Sequence, residues 1–139
     1  DKLTDDGIFS AWIPLFNLES DLLKSLLNTL HQAFPYISVW YSTDFNNKHA
    51  IMTGSKKPLK LDFNLFLEEI NQPLVKQSLA MAGLDNPLQL FYSYVGNETT
   101  IGPKVKDYPV NTDDNLMLAY FIPKQEIKVK KMWLKTLIF

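Results

Sequence analysis

The polar quartet Asn111-Thr112-Asp113-Asp114, one residue ahead of an apolar stretch at 116–123, stands out as a group of possible substrate ligands. A polar side chain drawn toward an interior needs partners there. The same residues suit an Asx-type turn or a helix cap at Asn111 or Thr112, and that local role takes precedence over direct substrate contact. Two carboxylates can hold a cationic amine or pass a proton, but strand neighbours point to opposite faces, so Asp113 and Asp114 do not make an acid/base pair. Aromatic faces attract cations within about 6 Å, which makes Trp12, Trp40, Tyr41 and Tyr92 candidates to line an amine pocket, with core packing as their ordinary role. Asp5-Asp6-Gly7 reads as a turn.

Other chemistries find little support. The chain has no cysteine, and its two histidines, His31 and His49, lie in unrelated contexts, which leaves no thiolate nucleophile and no expected metal site. His31 falls near the end of a helix, where a histidine suits the negative end of the helix dipole. The five glycines make neither a G-x-G-x-x-G nor a P-loop spacing. All fourteen basic residues are lysines, so the forked grip of arginine on phosphate or carboxylate is missing. A formal charge of −1 gives no electrostatic footprint for nucleic acid. No apolar run approaches the roughly 20 residues that cross a bilayer, and a cytoplasmic, soluble segment is expected. At 139 residues, 46% hydrophobic and 21% charged, one globular unit with a real core is the prior.

The elements that must position these residues follow from periodicity. Residues 7–15 form a nearly continuous apolar run of strand length, the pattern of a strand covered on both faces and ended by Pro14. Leu22, Leu23, Leu26, Leu27, Leu30 and Phe34 then recur at three- and four-residue steps and predict a helix with Asp21, Lys24, Asn28 and Gln32 on its polar side. Its start lies at Asn17 or Glu19-Ser20, and Pro35 stops it at Phe34. Residues 36–43 and 49–54 predict two strands joined as a hairpin through 44–48. Segments 62–70, 73–82 and 87–94 read as short helices, with Asp62, Asn71 and Asn86 as caps and Gly83 as a terminator. Turn chemistry and charge at 96–110 predict a mobile loop. Residues 124–139 make a basic amphipathic tail, suited either to packing on the domain or to an anionic membrane surface.

Taken in order, several pieces resemble the C-terminal half of the spermidine synthase-like (polyamine aminopropyltransferase) family, particularly its bacterial branch fused to membrane segments. They are Leu3-x-x-x-Gly7-Ile8 with Trp12-Ile13-Pro14-Leu15, Leu26-x-x-Leu-x-x-x-Phe34-Pro35-x-x-Ser38-Val39-Trp40, Gly54-Ser55-Lys56-Lys57-Pro58-Leu59 and Pro109-Val110-Asn111-Thr112-Asp113-Asp114. The resemblance spans about residues 3–123 and leaves 124–139 as an appended tail.

The resemblance implies an α/β fold: the C-terminal half of a Rossmann-like, class I methyltransferase-like sheet, with 7–15 as its fifth strand and the hairpin as its antiparallel edge. It implies transfer of an aminopropyl group from decarboxylated S-adenosylmethionine to a small amine. The neutral amine attacks the sulfonium carbon, helped by carboxylates that orient it. The donor-binding loop and the catalytic aspartate would lie N-terminal to this segment, so the partner implied is the missing N-terminal half and the segment alone is inactive. Trp12, Asn111, Asp113 and Asp114 are the substrate-side residues carried over. Members that make spermidine usually have a glutamine near Trp12 and a Pro-Thr-Tyr-Pro-Ser-Gly-type loop near 41–46, both absent here. A methyltransferase using S-adenosylmethionine on the same fold, and a non-enzymatic self-association module, are the alternatives. Association, including homo-oligomerisation, is expected in either case because an unpaired apolar strand edge invites pairing.

Overall fold

The computed structural model describes residues 3–16, 18–41, 49–60 and 62–115. The apolar stretch at 116–123 and the tail at 124–139 lie outside the described residues, as does the hairpin connection.

Four strands, β1 (Ile8–Pro14), β2 (Tyr36–Tyr41), β3 (His49–Ser55) and β4 (Tyr94–Asn97), form one sheet in the order β1-β3-β2-β4. Every neighbouring pair is antiparallel. Because β1 and β2 both run against β3, they run parallel to each other, with the helix α1 (Ser20–Ala33) joining them and β3 inserted between them. Four further helices follow: α2 (Phe63–Asn71), α3 (Pro73–Met81), α4 (Gln89–Tyr92) and α5 (Glu98–Val105). The class is mixed α/β with an antiparallel sheet. No helix among the described residues is long and apolar enough to cross a membrane.

α1 forms where the leucine periodicity requires it, and Phe34 ends it in extended geometry ahead of Pro35, with its N–H still bonded to the Leu30 carbonyl. Leu22, Leu27 and Leu30 pack on Ile13, Ile37, Val39 and Met52 from one face of the sheet, with Ile101 and Val105 of α5 closing the cluster. Each large aliphatic side chain so buried contributes roughly 1.5–3 kcal/mol against exposure. Gly102 lets α5 approach α1 closely: a Cβ there would sit 2.8 Å from Nε2 of His31.

Three expectations are corrected. Residues 98–105 are a helix rather than a mobile loop. Asn97 caps it, accepting from the Thr99 N–H, while Thr100 Oγ1 accepts from the Asn97 N–H at 3.0 Å. Tyr94 belongs to β4 rather than to the preceding helix, and α4 is only four residues long. β1 is covered on one face only: Ile13 is buried, whereas Ile8, Ser10 and Trp12, which alternate with it, are exposed. The continuous apolar run marks a strand with one apolar face left open among the described residues.

The hairpin holds as expected, with Tyr41 opposite Ala50 and Tyr36 opposite Ser55. Asp62 caps α2 by accepting from the Asn64 and Leu65 N–H groups. Gly83, at φ +75°, ends the turn after α3 in a backbone region that favours glycine.

Candidate functional site

Strand register decides which side chains meet on the sheet's open face. Trp12 stands opposite Ile51, and Ile51 opposite Trp40. Tyr94 pairs with Trp40 across an irregularity in the β2–β4 register, and the two rings meet edge to face at 5.1 Å. One row therefore runs Trp12, Ile51, Trp40, Tyr94 across all four strands. The next row toward the start of β1 is Ser10, Thr53 and Ser38. The Trp40 indole N–H donates to Ser38 Oγ at 2.7 Å, and Ser38 Oγ lies 2.6 Å from Thr53 Oγ1. That bond pins the Trp40 ring to the sheet, while Trp12, 63% exposed, projects from it.

His49 faces Pro14 at the end of β1. Its imidazole stacks on Trp12 at 4.2 Å and meets the edge of Phe16 at 5.8 Å. Trp12, Pro14 and Phe16 gather at the carboxyl end of β1. The arrangement can stack a flat group or receive a cation, because indole faces carry negative charge. It offers no nucleophile and base within reach: His49 and Thr53 are four residues apart along one strand, about 13 Å. The described residues also contain no group of three or more His, Cys, Asp or Glu side chains that could hold a metal ion.

Tyr94 has its phenol pKa raised above the usual 10.0 by burial, with the Glu98 carboxylate adding to the shift. Glu98 also accepts from the Ile37 N–H at 3.3 Å, so the ends of β2 and α5 are tied together beside this ring.

The other predicted site residues lie across the sheet, on the α1 side. The Asn111 N–H donates to Thr29 Oγ1 at 2.7 Å. Just before it, Ser25 Oγ donates to the Pro109 carbonyl and Asn28 Nδ2 donates to the Tyr108 carbonyl at 2.5 Å. Lys24 donates to the Tyr108 hydroxyl at 2.8 Å and lies over its ring, 4.7 Å from the centroid. The polar side expected on α1 is thus interior at Asn28, which is fully buried together with Ser25 beneath residues 108–111. The carboxamide oxygens of Asn28 and Asn111 are buried without a hydrogen-bond partner among the described residues.

Asp113 and Asp114 are exposed in a turn held by Asn115, whose Oδ1 accepts from the Thr112 N–H at 3.0 Å and whose Nδ2 donates to the Val110 carbonyl at 2.7 Å. A local turn forms at the quartet as expected, with the anchoring amide on Asn115 instead of Asn111 or Thr112. Trp12 and Asn111 are not brought together, since the sheet stands between them. Of the other aromatics considered, Trp40 joins Trp12, Tyr41 alternates to the opposite face, and Tyr92 is exposed on α4. Sequence reasoning missed His49 and Ile51 as neighbours of Trp12 and Tyr94 as a neighbour of Trp40. The alternation of His49, Ile51 and Thr53 with Ala50, Met52 and Gly54 carried the signal for two of them.

Within the described residues the fold and site define a mixed α/β unit with a closed helical face and an open aromatic one. No family model, curated protein or solved structure matches this chain.

Proposed function

We propose that this chain is the C-terminal portion of a spermidine synthase-like transferase and supplies one wall of its amine cleft. The strand arrangement carries the proposal: β1 and β2 run parallel, are bridged by α1, and take β3 between them. The parallel β1 and β2 support a partial Rossmann-like reading, but the hairpin is not the antiparallel edge expected of it: β3 lies inside the sheet and β4 forms the far edge. In this reading Trp12 forms the apolar wall at the carboxyl end of β1. Asn111, Asp113 and Asp114 lie across the sheet on the α1 side, so they do not share this wall, and the carboxamide oxygen of Asn111 is buried.

The donor implied by the resemblance, decarboxylated S-adenosylmethionine or S-adenosylmethionine, finds no matching residues here. Gly54 is packed beneath Phe34 and Gly102 beneath His31, and no described glycines make a phosphate or sulfonium cradle. The partner proposed is an N-terminal half of the same polypeptide, which pairs with the outer edge of β1, and the setting is cytoplasmic. Without that half the segment is inactive.

A second reading, a self-association module, draws on the same open face and on the outer edge of β1, which pairs with no described strand. Steady-state kinetics on the native polypeptide carrying Trp12→Ala separate the two. A transferase loses roughly tenfold in kcat/KM for the amine, the scale of a cation–π contact, with donor affinity kept. Unchanged kinetics, or no transfer by the native polypeptide at all, would leave the module.

A further inference from the structure

The helices α2, α3 and α4 stand apart from the rest of the fold, because none of their residues is buried. Their apolar side chains are unusually open: Leu74 is 78% exposed, Met81 84% and Tyr92 77%. Phe63, Phe66 and Phe91 pack on one another and hold α4 to α2, which leaves Leu65, Leu74 and Met81 without apolar cover. Apolar side chains this open on three successive helices mark a surface that something covers. The segment is also acidic, with Asp62, Glu68, Glu69 and Asp85 against the single Lys76.

We propose that the occupant is the chain's own C-terminal tail, residues 124–139. The tail is complementary in both respects: five lysines, at 124, 128, 130, 131 and 135, oppose one glutamate, and Ile127, Val129, Met132, Trp133, Leu134, Leu137, Ile138 and Phe139 supply apolar surface. Reach is no obstacle. The 24 residues after Asn115 can span up to about 80 Å, well beyond the width of a domain whose radius of gyration is about 14 Å. The open sheet face suits this tail less, since β1, β2, β3 and β4 carry no Asp or Glu to meet five lysines. An anionic membrane is the wrong surface for α2–α4 themselves, whose carboxylates it would repel.

The absence of cysteine makes the test clean. A nitroxide is placed on the exposed Ala80→Cys position of the 139-residue chain, and NMR signals of residues 124–139 are followed. Docking attenuates those signals in the singly labelled chain. Glu68→Lys with Asp85→Lys relieves the attenuation, and adding Lys130→Glu with Lys131→Glu restores it. Both carboxylates are exposed, and the remaining spectrum reports whether the fold is kept. Tail signals untouched by the label would overturn the proposal, and so would loss without rescue. Attenuation only between labelled and unlabelled copies would assign the surface to a second copy instead. Tail signals that change only on adding phosphatidylserine vesicles would assign the tail to a membrane.

Discussion

The two faces of the sheet are finished differently. On one, α1 and α5 bury Leu27, Ile101 and Val105 almost completely, and residues 108–111 are bonded to Ser25, Asn28 and Thr29. On the other, Trp12, Ile51, Trp40 and Tyr94 line up across the strands, with His49 and Phe16 beside Trp12 and a thin band of hydroxyls next to the row. The first face is closed by its own chain, down to buried polar groups. The second has the composition of an interior and the exposure of a surface, and that disparity makes it the place to look for function.

Paired substitutions break the symmetry most sharply. Leu27→Ala should cost about 2–5 kcal/mol by emptying a fully buried site, whereas Trp12→Ala should cost about 1 kcal/mol or less, chiefly the stack on His49. Urea unfolding of both variants checks this through their midpoints at unchanged slope. Equal losses would mean that the aromatic face is covered after all.

A smaller effect tests the polar closure of the first face. Asn28→Ala leaves the part-buried Tyr108 carbonyl without its side-chain donor and should cost about 1–3 kcal/mol. The loss should come with faster amide exchange of Asn111, whose N–H is held on Thr29 one position along α1. A neutral substitution would show that residues 108–111 hold their place without α1.

The smallest effect is electrostatic and belongs to the open face. Folding raises the Tyr94 pKa, so the folded state disfavours the phenolate. The stability this contributes is fully present below the unfolded value near 10 and is lost as pH rises through the folded pKa above it. Ultraviolet titration should find Tyr94 ionising late, and Glu98→Gln should bring it partway back, leaving the larger effect of burial in place.

How far the fold could be read from the chain depended on whether the signal was local. The α1 leucines, the Asp62 cap, Gly83 and the two hairpin strands announce themselves through periodicity or turn chemistry within a few residues. α5 was also announced, by Asn97 with Thr100 three residues on and by Ile101 and Val105 four apart. Gly102 and Pro103, poor helix formers, hid it. The burial of Ser25 and Asn28 had no local sign, because their partners lie 80 or more residues away. The aromatic row shares that limit: Trp12, Ile51, Trp40 and Tyr94 become neighbours only through the pairing of four strands. Period alone showed that Trp12 and Ile13 face opposite ways, but not which side α1 would take.

The central claim is that the open aromatic face is completed by another part of the native polypeptide. It is tested most directly by oxidative labelling of tryptophan, read by mass spectrometry, on the 139-residue chain and on the native protein, with the intact mass of the latter measured alongside. The account predicts a native mass larger than this segment, with Trp12 oxidised readily in the isolated chain and protected by roughly tenfold or more in the native protein, and Trp40 changing far less. Equal labelling of Trp12 in both would contradict it.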